Sequence, residues 1–324
     1  MIKYNFLVDK EACFAYWAQS LIKWSWYFEQ KEFDYHQGLF GPFTDGEEKS
    51  LKLLASILNK KGNYFNWLWS RYGGQKISDE EESKSWIKIR TTLDDKFERM
   101  WKIEEPKLKK WSIILSNYES PKLNEIYSKI FRFFDVKEQH LQIDVKLLFH
   151  WDSELPTAHV QRNFEKIMIL NISNVKEVNI PEVINILTHE TIHKIEYKSL
   201  TLPNLIENSF RQIIRPVDLD IQLEGLSKEE QWRHLLTETI IGAIASRRFN
   251  TYVGRELAKD VKQIEADKIF DFNFTRDKNN HGLLIRVVAS KIEALTAEYL
   301  YTNKVISQQY CDKVATTWLE LEGR

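Results

Sequence analysis

The stretch that decides how this chain reads is PEVINILTHETIHKIE, residues 181–196. Pro181 suits the first turn of a helix, and no glycine or further proline interrupts the fifteen residues after it. At about 100° per residue, Val183, Ile184, Leu187, Ile192 and Ile195 fill one half of the helical wheel. His189, Glu190 and His193 fall in the other half. One side is therefore expected to face a core and the other a site. Ile186 is the exception, lying on the polar side one turn earlier, where it would wall a pocket.

Within the stretch, His189-Glu190-Thr191-Ile192-His193 is an HExxH. Positions i and i+4 of a helix sit one turn apart on one face, so two imidazoles there can hold one tetrahedral ion. Glu190 stands beside them, placed to take a proton from a metal-bound water instead of ligating the metal. The plain alternative is a pair of surface or core histidines on an amphipathic helix; the whole constellation favours zinc. A catalytic zinc takes three protein ligands and leaves one position for water. Glu196 is one option, but it lies on the same helix nearly two turns from His189, and a third ligand normally approaches from another element.

That element is WRHLLTETIIGAIA, residues 232–245. Glu238 sits there among apolar neighbours, where an unpaired carboxylate would be costly and a bound cation removes the objection. Gly242 and Ala245 share its face and would let this helix pack closely against the metal helix. His234, one turn before Glu238, is the competing ligand, and a merely salt-bridged Glu238 is the structural alternative.

HETIH followed 45 residues after its second histidine by Glu238 in LLTETIIGAIA resembles the gluzincin metallopeptidases. KIMILNI, residues 166–172, looks like the edge strand those enzymes place above the metal. The resemblance covers roughly residues 140–250. It implies a zincin-like catalytic domain, zinc (Zn2+) on His189, His193 and Glu238, Glu190 as general base, and a peptide or protein substrate whose strand could add to the edge of KIMILNI. The metzincin pattern is absent, since Glu196 and Ser199 stand where Gly and His would be needed. The rival reading is a non-catalytic zinc-binding or regulatory protein on a degenerate peptidase scaffold; an intact Glu190 argues against it. A tetrahedral oxyanion needs a further donor. Tyr252, Tyr299 and His281, the last in an Asn-Asn-His-Gly turn, are the candidates.

Working outward, residues 136–324 read as the catalytic domain and residues 1–135 as a helical, tryptophan-rich region that shapes a substrate cleft. The fold class is α+β, mostly helical, with a small sheet. Expected strands are 140–151 and 166–172; expected later helices are 181–198, 228–249, 252–265, 284–302 and 305–322. In the first region Asp9 caps a helix through Trp24 and Tyr27, Gly41-Pro42 makes a turn, and Thr44 with Glu47 has capping-box spacing. Gly73-Gly74 breaks the chain, and a stretch from about Asp79 to Asn117 has a break near Pro106.

With 46 basic against 47 acidic residues, nothing draws the chain to nucleic acid or to an anionic membrane. The run Lys107, Lys109, Lys110 reads as a solvated helix face. Two cysteines, Cys13 and Cys311, build neither a cysteine-rich zinc site nor a disulfide framework, so a reducing cytoplasm is expected. Asp9 and Glu11 interrupt the N-terminus before any signal-like apolar run forms, and no run approaches the roughly 18 apolar residues of a membrane span.

Overall fold

The computed structural model describes residues 1–22, 30–60, 64–118, 121–137, 140–215, 227–245, 251–257 and 280–321. They form an α+β fold in two compact units. One gathers residues 3–119 and 141–180; the other gathers 1–2, 120–140 and 181–324. This grouping differs from a division at residue 135. The expected strands join the N-terminal helices, and one N-terminal helix joins the C-terminal ones.

The sheet unit holds β1 (Ile2–Leu7), β2 (Leu141–Leu148), β3 (Thr157–Val160) and β4 (Ile167–Asn171). Their order is β1-β2-β4-β3, with β4 parallel to β2 and antiparallel to β3. KIMILNI is therefore not an edge strand. β4 is paired on both sides, Leu170 standing opposite Leu147 and Ala158, so its backbone groups have no open ladder to offer a substrate. Its residues Met168 to Asn171 are all buried, as an interior strand requires. β2 alternates instead, Ile143, Val145 and Leu147 inward, while Lys146 bonds Asp9 at 2.6 Å.

Around the sheet lie α1 (Lys10–Leu21), α2 (Gln30–Phe40), α3 (Asp45–Lys60), α4 (Tyr64–Tyr72) and α5 (Glu80–Ser116). Asp9 caps α1, accepting from the Glu11 and Ala12 amides; Trp24 and Tyr27 lie outside the described residues. The Thr44–Glu47 capping box is present, and Gly41 and Gly74 turn the chain at positive φ. Aromatic residues that looked conspicuous in sequence are core: Phe14 meets Phe97 at 5.0 Å and Trp86 at 5.2 Å, with Trp17 and Trp101 alongside. The break expected near Pro106 does not occur; α5 runs through it. Pro106 and Lys102, whose carbonyl loses its amide partner, both face solvent, where water satisfies that oxygen. The lysine run is paired, Lys107 with Glu104, Lys109 with Glu105 and Lys110 with Glu177.

The helical unit holds α6 (Pro121–Phe133), α7 (Ile180–Glu196), α8 (Leu202–Ser209), α9 (Lys228–Ile244), α10 (Tyr252–Leu257), α11 (His281–Tyr301) and α12 (Gln308–Leu321). α8, which continues as a single π turn over Phe210–Ile214, was not expected. Residues 246–250 and 258–265 of the expected helices lie outside the described residues. α6 anchors the others. Tyr127 donates to Thr188 Oγ1 at 3.3 Å, Ser199 donates to the Phe134 carbonyl, and the Ile306 amide donates to the Phe133 carbonyl. No helix among the described residues is long and apolar enough to cross a membrane.

Candidate metal centre

α7 is built as its pattern demands. Val183, Ile184, Leu187, Ile192 and Ile195 are buried, and Ile186 is buried with them. Thr188 and Thr191 turn their hydroxyls back onto the Ile184 and Leu187 carbonyls, which satisfies them inside the unit. α9 starts at a complete capping box between Ser227 and Glu230, and its C-terminal half is buried almost all round. These two helices bring His189, His193 and Glu238 together.

The three donor atoms lie within 4.8 Å of one another. Glu238 Oε1 is 3.3 Å from His193 Nε2, and Oε2 is 3.9 Å from His189 Nε2. Donors on a tetrahedral zinc, with bonds of about 2.0–2.2 Å, stand about 3.4 Å apart. The set therefore fits such an ion with small closure on the His189 side. His189 Nδ1 lies 2.8 Å from the Ala245 carbonyl. A carbonyl only accepts, so Nδ1 carries a proton, and Nε2 is the ring nitrogen turned toward Glu238. This is the outer partner that metal-bound histidines usually have. Side-chain exposure is 21% for His189, 9% for His193 and 23% for Glu238, so one side of the cluster is reachable from solvent.

Without an ion the cluster is an ion pair. Burial is the largest influence on Glu238 and pushes its carboxyl up. The charge and hydrogen bond of His193, then His189 and His234, overcome it and hold the group at about 2. Burial likewise pushes His193 down, but Glu238, Glu190 and Glu196 together raise it to about 9. Glu190 is itself buried and close enough for its charge to be felt at His193.

The other candidates are placed as follows. His234, half exposed, points Nδ1 at Glu238 Oε1 from 3.9 Å and lies outside the converging donor set. Glu196 is buried on the last turn of α7 and is also outside it. His281 opens α11, its protonation disfavoured by burial and by nearby His234. Tyr252 is at the other end of that helix, its ring 5.1 Å from Tyr301. His281 and Tyr301 are separated by about 30 Å of helix, so Tyr252 and His281 do not share a site. Tyr299 is held by Ser307 and Tyr310. Gly242 faces Ala289 of α11, where a Cβ would stand 3.4 Å from the alanine methyl; its small size serves the α9–α11 contact. The Ala245 carbonyl was missed by sequence reasoning, because a backbone acceptor leaves no mark in side-chain identity. Compared with protein-family models, curated proteins and solved structures, the chain matches none of them.

Proposed function

We propose that the chain is a zinc-dependent hydrolase of gluzincin type that cleaves peptide bonds, its ion held by His189, His193 and Glu238. One observation carries this reading: donors from two helices, 45 residues apart, converge with the spare nitrogen of His189 already tied to a carbonyl. A divalent ion held there would supply Lewis acidity and make a water acidic enough to lose a proton near neutral pH. Glu190, buried beside His193, would be the group that accepts that proton and passes it to the leaving amine. Glu238 and the two imidazoles hold their positions, with the Ala245 carbonyl fixing the His189 ring. His281, on the His234 side of the cluster, is the remaining candidate for oxyanion stabilisation.

A second reading has its own support. The Glu238–His193 pair satisfies itself without metal, which suits a structural ion-pair cluster or a non-catalytic zinc protein. Elemental analysis of chain purified without added metal separates the readings. About one zinc per chain is expected; none, with no uptake on adding zinc, overturns the proposal.

A further inference from the structure

We infer that Gly242 is a positioning residue for the metal centre, the point where α9 must stay thin so that Glu238 and the Ala245 carbonyl reach the two histidines together. This rests on the metal-binding reading of the cluster. Glu238 and Gly242 lie one turn apart on α9 and about 40° apart around it, and three residues further on Ala245 leaves the helix in an extended conformation that presents its carbonyl to His189. Glu238 meets His193 at 3.3 Å and Ala245 meets His189 at 2.8 Å. At the level between them α11 comes in, and a Cβ on residue 242 would stand 3.4 Å from Ala289 Cβ. A single methyl there makes ordinary contact with Ala289, and the branches of a larger side chain must find room beside that methyl or part the helices.

α9 has little room to yield without moving the centre. Trp232, Leu235, Leu236 and Thr239 are buried along it, and the Trp318 indole donates to Thr239 Oγ1 at 3.1 Å. Bulk at residue 242 therefore tilts α9 off α11 and carries the 238 carboxylate and the 245 carbonyl with it. Metal bonds hold to within about 0.2 Å, so a small tilt loses a ligand and unfixes the His189 ring at once. Helix propensity does not explain the residue, since glycine is among the poorest choices for a helix interior.

The test is a series at one position, Gly242→Ala, Gly242→Ser and Gly242→Val, in the full chain. Zinc affinity is read by competition with a chromophoric chelator, and ligand geometry by the visible bands of the cobalt(II)-loaded protein. Loss should grow with size, from little or none for alanine to at least about 10-fold for valine, with altered cobalt bands. Adding Ala289→Gly to the valine variant should recover most of the loss. Tyr310→Phe, which removes the Thr296 contact elsewhere on α11, should lower Tm while leaving zinc affinity as in the parent. A valine variant that melts earlier but binds zinc like the parent, with unchanged cobalt bands, overturns the inference. If that variant does not fold, the serine variant is read in the same way. A parent chain that takes up neither zinc nor cobalt sinks the metal reading itself, and is seen before any variant is made.

Discussion

Glu190 and Glu238 are both carboxylates in the same unit, yet the proposed centre gives them separable work, and substitution should pull the two apart. Glu190→Gln keeps shape and volume but cannot accept a proton, so zinc content and fold should persist while turnover of a peptide substrate falls at least ~100-fold. Parent-like turnover would give Glu190 another role. Glu238→Ala should lower zinc affinity at least ~100-fold, more than an outer partner contributes, whereas His234→Ala should change it little. Metal-free protein offers a check on the same residues. Glu238 is depressed to about 2 from 4.5, so its contribution is present above about pH 4.5 and lost as pH falls toward 2. His193 is raised to about 9 from 6.5, so its contribution is complete below about pH 6.5 and lost as pH rises toward 9. The Tm gap between the parent and Glu238→Gln, measured in chelator, should be widest between pH 4.5 and 6.5 and close on both sides.

Among the elements, those with a local chemical signature were legible and those set by their neighbours were not. The HExxH helix declared itself through its apolar half and Pro181, and α9 through the position of Glu238 among apolar residues. Asp9, Thr44 and Glu47 capped the helices they were expected to cap. β1 and β3 escaped. IKYNFL alternates, but it runs directly into a helical pattern, and Thr157–Val160 spans only four residues, TAHV, too short to show a period. β4 was found as a strand but misplaced at an edge, because pairing on its second side comes from β3, which was not seen. Pro106 misled in the opposite direction: proline forbids one hydrogen bond, and on a solvent-facing turn of a long helix the remaining bonds hold. Pro106→Ala should accordingly raise the stability of the sheet unit, by up to about 3 kcal/mol, read as a higher denaturation midpoint. An unchanged midpoint would mean that the missing hydrogen bond at Pro106 costs the helix nothing.

At the scale of the whole molecule the chain interleaves its two units along the sequence, so a cut at residue 135 would pass through both. A chain of residues 136–324 would lack α6, and with it the Tyr127, Phe133 and Phe134 contacts to Thr188, Ile306 and Ser199. It would also carry β2 and β4 without α1 and α5. Such a fragment should show no cooperative thermal transition by circular dichroism; a sharp transition would mean that the C-terminal helices fold without α6. The same interleaving sets a timetable for synthesis. Every segment of the sheet unit has been made once residue 180 is added, but the helical unit still lacks residues 181–324. At about 5–20 residues per second those 144 residues take roughly 7–30 s to make. At the start of that interval Ile126, Tyr127, Ile130 and Phe131 of α6, buried in the finished fold, have none of their C-terminal partners and gain them only as the later helices are made, which leaves a sticky helix uncovered while the rest of its core is being translated.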